Sequence, residues 1–233
     1  MVLAYHRVNP WYKKDALSVS PETFKRQMKY LIRRKFIPTS INEISTGTKI
    51  LLEKNRFCVT FDDGFADNLW YGLPVMEKLH IRPIIFISVD FIGTNKTLPR
   101  YEFSDKERFL NWKEIKEMVG RQVEFGSHGL KHLHLPTLEN KELKTEVYDS
   151  KKIIEDKIGK KVDFFCYPYG DFNQRVVDAV KEAGYAGAFV TPGKRKLEVT
   201  EYTIPRTGIY SHNNFLIFKV KIWKSNKKIE KSF

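Results

Sequence analysis

Cysteine is scarce in this sequence. Only Cys58 and Cys166 occur, far apart and in no paired motif, so a disulfide framework is not suggested and a reducing cytoplasm is expected. Long apolar runs are missing too. None reaches the roughly 18 residues that a membrane-spanning helix needs. The first residues, MVLAYHRVNPWYKK, become charged too early for a secretory signal peptide. VLAYH therefore reads as a first strand, and a cytoplasmic chain, at most peripheral to a membrane, is expected. Neither GxGxxG nor GxxxxGK[ST] is present, so nucleotide folds lack their phosphate loop. Repeats of solenoid type are absent as well.

What is abundant is positive charge. The net charge is +13, with 42% of residues hydrophobic and 30% charged. That supports a sizeable core and argues against a disordered chain. A basic excess suits nucleic acid, an anionic membrane or an anionic substrate, and it also suits a merely solvated surface. No nucleic-acid motif is present, so nucleic acid is not expected as a partner.

Short β-rich runs alternate with helical patterns. Strands are expected at 2–6, 56–61, 83–89, 123–128, 163–168 and 185–191. Helices are expected at 20–36, 69–80, 111–120, 139–159 and 173–184. Ser20 with Pro21 forms a helix start, and Gly120, Gly159 and Gly184 stand where helix C-caps belong. Alternation of this kind implies a parallel sheet, open or closed, of the α/β class. We expect one domain over 1–233, with a basic tail at about 219–233 that reads as a last strand or helix with a frayed end, or as a surface for anionic lipid.

Four segments after strands carry chemistry. Asp62-Asp63-Gly64 sets two carboxylates side by side, which repel unless a cation or shared proton intervenes; the same residues also fit an Asx turn. His128 and His132, at i and i+4, converge on one metal if the segment turns helically. His134 lies nearby, with spacing that puts it on another face. Two imidazoles and one carboxylate form a frequent triad with room for water. Donor softness does not separate Zn²⁺ from Co²⁺, Ni²⁺ or Mn²⁺, and availability favours zinc. Cys166-Tyr167-Pro168-Tyr169-Gly170 reads as a tight turn whose backbone N–H can face an oxyanion. His6 ends the first strand; a lone His there is more often structural than catalytic.

Together the order LxYHxV, TFDDG, SHxxxH and YPYG resembles the polysaccharide deacetylases, carbohydrate esterase family 4, with its NodB-homology domain. Val19–Phe24, Asn111–Ile115 and Ile204–Arg206 also resemble stretches of that family, so the likeness spans about residues 2–220. It implies a distorted (β/α)7 barrel, related to TIM barrels, that removes an N-acyl group from an amino sugar. It implies Asp62 as general base, Asp63, His128 and His132 as ligands of one divalent metal, and the Tyr169 backbone N–H as oxyanion donor. No C-terminal LxH supplies an acid. The circularly permuted branch, similar to poly-N-acetylglucosamine deacetylases, implies His6 for that role. Gly129 replaces the family's Ser or Thr, which removes a hydrogen bond that would steady the loop. Cys166 replaces an Arg, with Arg206 or Arg7 as candidates to orient Asp62, and the fourth motif is not recognisable.

Two other readings stand beside this one: an inactive glycan-binding domain, and a metal-dependent phosphoesterase. Trp11, Trp70, Trp112, Tyr101 and Phe103 can stack on sugar rings or fill the core. The basic charge suits a polysaccharide or a lipid- or nucleotide-linked glycan.

Overall fold

The structure, a computed structural model, describes residues 1–11, 16–43, 54–98, 107–193 and 197–230, with side chains through Lys227. Tyr101 and Phe103 lie outside this set. The chain divides into two compact units. One holds residues 1–61, 67–84 and 206–233; the other holds 62–66 and 85–205.

The first unit is built on β1 (Val2–Tyr5), flanked by β2 (Arg7–Val8), β3 (Ser18–Val19), α1 (Pro21–Arg33), β4 (Ile37–Pro38) and β5 (Arg56–Phe61). It also contains α2 (Leu73–Glu77). β1 pairs in parallel with β5, in the register Val2 to Cys58 through Tyr5 to Phe61. All four residues of β1 are buried, as an unbroken apolar run in a parallel strand requires. Ser20 Oγ accepts from the Thr23 N–H at 3.1 Å and Pro21 opens α1, the start expected from the sequence. Phe24, Met28 and Leu31 turn inward from α1, and the Phe24, Tyr5 and Phe61 rings lie 5.1 to 5.9 Å apart.

The second unit contains most of β6 (Ile84–Ile87), then α3 (Trp112–Gly120), β7 (Glu124–Ser127), α4 (Asn140–Lys144), α5 (Ser150–Ile158), β8 (Phe164–Cys166), α6 (Gln174–Glu182), β9 (Gly187–Val190) and β10 (Ile204–Pro205). Strand order is β6-β7-β8-β9-β10, and the β7–β8, β8–β9 and β9–β10 pairings are parallel. Asn111 starts α3 with a capping box: its side chain accepts from the Glu114 N–H, and Glu114 accepts from the Asn111 N–H. That reciprocal pair is the physical content of the Asn111–Ile115 segment. Gly159 caps α5 as expected, but Gly120 lies within α3, and Arg121 is its C-cap. The helix expected at 139–159 is two helices joined by a π-type turn at Thr145–Asp149. A wider turn of this kind rotates the residues it contains relative to a regular helix.

The first unit closes with β11 (Thr207–Gly208), paired with β1, and with α7 (Phe215–Glu230). The sequence left the tail open as strand or helix; up to Glu230 it is helical. Among the described residues no helix is long and apolar enough to cross a membrane.

Candidate metal centre

Asp62 and Asp63 follow β5 directly, and Asp63 takes a left-handed backbone with φ 71°. Asp tolerates that region better than most residues, since its short polar side chain can hydrogen-bond locally. Both carboxylates are buried. His128 follows β7, and its N–H donates to the Ile87 carbonyl at 2.9 Å.

The two histidines converge, but not through the helical turn expected from their spacing. Residues 128–134 form a loop with left-handed backbone at Gly129 (φ 79°) and His132 (φ 56°). Glu146, presented by the π-type turn, holds it. Its Oε2 accepts from the Leu130 N–H at 2.8 Å and the Lys131 N–H at 3.0 Å. Ser127 Oγ accepts from the Gly129 N–H at 3.2 Å and donates to Ser150 Oγ at 2.7 Å. Gly129 has no side chain to give the hydrogen bond of the family's Ser or Thr, and Glu146 and Ser127 hold the loop through its backbone N–H groups instead. A Cβ at position 129 would lie 2.9 Å from Glu146 Oε2, so the glycine makes room for the brace. Glu146 was missed in the sequence. Its signal was a carboxylate beside the buried stripe Leu143, Val147, Ser150 and Ile154.

Asp63 Oδ1 lies 3.3 Å from His132 Nε2 and 3.6 Å from His128 Nε2, and one donor atom from each residue falls within 4.8 Å of the others. All three residues are buried. His128 Nδ1 is 2.6 Å from the Cys166 carbonyl oxygen. A carbonyl only accepts, so Nδ1 carries the proton and Nε2 presents a lone pair. Burial pushes the His128 pKa down to about 4, against the opposing pull of Asp62. At neutral pH a bare nitrogen lone pair thus faces a carboxylate oxygen. That arrangement is repulsive unless a cation lies between them.

The donor set fits such an ion. A tetrahedral metal about 2.0–2.1 Å from each donor sets its donors about 3.4 Å apart, and two imidazoles with one carboxylate leave a fourth position open. The carbonyl contact of His128 is the usual outer support of a metal-binding imidazole. A second trio, Asp62, His128 and Cys166, also lies within 4.8 Å. It shares His128, so the two trios cannot each hold an ion through that one lone pair.

Cys166 contributes through both ends. Its carbonyl fixes the His128 tautomer, and its thiol donates weakly to Asp62 Oδ1 at 3.8 Å. Both arginines that stand as candidates to replace the family's Arg are buried and hydrogen-bonded. Arg7 Nε donates to Asp67 Oδ2 at 2.8 Å within a buried ion pair. Arg206 Nη1 donates to Thr60 Oγ1 at 3.0 Å, two residues before Asp62.

Tyr169 has φ 59° in the turn after β8. Its ring meets His132 edge-on at 4.5 Å and stacks on His134 at 3.9 Å. His134 is exposed and pairs with Asp171 at 3.3 Å, and it belongs to neither trio. His6 follows β1 in the first unit and is half-buried; its carbonyl accepts from Asn68 Nδ2 at 3.0 Å.

The polysaccharide deacetylase family matches residues 51–188, more than half of the chain and a span that includes Asp63, His128 and His132. YxkH of Bacillus subtilis (strain 168), whose name places it among the polysaccharide deacetylases, is 26% identical over 211 residues, 89% of this chain and 70% of its own length. The structure of BC0361, a polysaccharide deacetylase from Bacillus cereus, superposes with a TM-score of 0.77 at 26% identity, over 95% of this chain and 68% of that one. The Streptococcus pyogenes deacetylase PplD, solved in complex with acetate, gives 0.78 at 19% identity, over 94% and 96%. These superpositions bear out the fold class expected from the sequence, the α/β, distorted (β/α)7 barrel of NodB type. With its family's motifs matched in order and the carboxylate and imidazoles gathered at one point, the chain belongs to the polysaccharide deacetylases.

Proposed function

We propose that this protein is a metal-dependent hydrolase that removes an N-acyl group, acetyl first, from an amino sugar of a polysaccharide or of a lipid- or nucleotide-linked glycan. The observation that carries this reading is the buried trio Asp63, His128 and His132, with a His128 lone pair aimed at a carboxylate and Asp62 beside it. Asp63, His128 and His132 would hold one divalent ion, zinc before cobalt, nickel or manganese. Such an ion, when bound, lowers the pKa of water from about 16 towards 7 and polarises a carbonyl.

The rest falls to the chain's own groups. Asp62 takes the proton of the attacking water. The Tyr169 backbone N–H donates to the oxygen that gains charge; one good donor of this kind contributes roughly 3–4 kcal/mol. The leaving amine needs a proton, and His6 is the proposed donor. Acetate and a free amino sugar result.

Acetate release from polymeric, lipid-linked and nucleotide-linked N-acetylated sugars tests the reaction and ranks the substrates. Asp62→Asn should keep the metal and lose nearly all turnover; wild-type turnover would remove Asp62 as the base. His6→Ala should slow amides more than activated esters, whose leaving groups need no acid. An equal loss on both would leave His6 a shaping role only. A chain without stoichiometric metal would favour an inactive glycan binder. Hydrolysis of phosphate esters instead of acetamides would favour the phosphoesterase, although the two trios' shared His128 argues against a two-metal site.

A further inference from the structure

Helix α7 carries apolar side chains on the face turned away from the protein. Phe218 and Ile222 point inward, at 0% and 2% exposure. Leu216, Val220 and Trp223 are 69%, 42% and 60% exposed. Their spacing of four and then three residues places them in one stripe along the helix. Lys219, Lys224 and Lys227 run alongside this stripe, and Lys227 Nζ lies 4.9 Å over the Trp223 ring.

The cleft between α7 and α1 continues the positive charge. It has a volume of about 450 Å³ and is lined by Lys25, Arg26, Lys29, Arg33 and Lys219, with Glu22 the only acidic group in its lining. Tyr30 and Phe215 also line it. Arg26 and Lys219 sit over the Phe215 ring at 3.9 and 5.0 Å.

We propose that this face of α7, together with the basic cleft beside it, docks on the surface of an anionic lipid bilayer. A lipid surface satisfies both halves of the pattern. Apolar tips and an indole enter at headgroup depth, where tryptophan is at home, while ammonium and guanidinium groups meet phosphates. A second copy of this chain would bring two lysine rows together. A soluble polyanion would answer the charge but leave Leu216 and Val220 in water. The proposal does not depend on the catalytic reading, so acetate release and lipid binding can fail separately.

The test is co-sedimentation of the full chain with phosphatidylcholine vesicles, with and without phosphatidylglycerol, at low and high salt. Binding should be at least about tenfold stronger on the anionic vesicles and should weaken with salt. The double variant Leu216→Ser/Trp223→Ser should lose at least about tenfold in binding. Its melting curve, followed by circular dichroism, should be unchanged, because both side chains are exposed. The vesicle-induced blue shift of tryptophan fluorescence should vanish in Trp223→Phe, which assigns it among the four tryptophans. Equal or absent binding to the two vesicle types would overturn the proposal. So would wild-type binding by the double variant, or a dimer in sedimentation velocity that the double variant dissolves. Tight binding of a soluble anionic polysaccharide that needs Lys25 and Lys219 but not Trp223 would overturn it as well.

Discussion

Glu146→Ala tests whether one carboxylate reached from a distant turn shapes the candidate metal centre. Glu146 is only 3% exposed, and its Oε2 is the acceptor for two backbone N–H groups of the loop that joins the two histidines. Removing it leaves the Leu130 N–H buried without that acceptor, at a cost of about 1–3 kcal/mol. Lys131 is exposed, so water can replace the second bond at about 0.5–1 kcal/mol. Against this, burial raises the Glu146 pKa, and deleting a buried carboxylate relieves part of that strain. A net loss of about 2 kcal/mol is expected, read as a lower urea midpoint at constant slope in chelator-treated protein. Metal affinity, measured by calorimetric titration, should fall about 10–100-fold, as for other outer supports of metal-binding side chains. Glu146→Gln keeps an amide oxygen as acceptor and should fall between wild type and alanine. An alanine variant within about 0.5 kcal/mol of wild type, with unchanged metal affinity, would refute the reasoning: something else would then hold the loop.

Three further outcomes follow from the same geometry. Gly129→Ser restores the residue usual in the family but should destabilise by about 1–2 kcal/mol or more by chemical denaturation, since φ is 79° and the new Cβ would meet Glu146 Oε2. In metal-free protein, His128 should make stability depend on pH. Its folded pKa, about 4, lies below the ordinary 6.5, so its contribution is complete above about pH 6.5 and lost as the pH falls towards 4. The size is about 3 kcal/mol, and His128→Asn should flatten that slope in denaturation curves taken across the range. Cys166→Ala should leave metal stoichiometry unchanged in elemental analysis, because the contact to His128 is made by the backbone carbonyl.

The sequence by itself determined what depends on neighbours along the chain. Short β-rich runs such as VLAYH and RFCVTF marked the strands, because a strand buried on both faces is mostly apolar along its length. Ser20 before Pro21 marked a helix start, because capping is settled within four residues. The order of TFDDG, SHxxxH and YPYG named the carboxylates and imidazoles for the same reason: each motif is a short segment after a strand. Tertiary structure decided what joins residues far apart. Glu146 reaches Leu130 and Lys131 only because a π-type turn rotates it inward, and helix periodicity does not announce that turn. The tautomer of His128 is set by the carbonyl of Cys166, 38 positions later, and a carbonyl leaves no mark in residue type. On α7 the basic charge of the tail was visible, but which apolar residues turn inward depended on where α1 packs. Folding buried Phe218 and Ile222 and left Leu216, Val220 and Trp223 facing water.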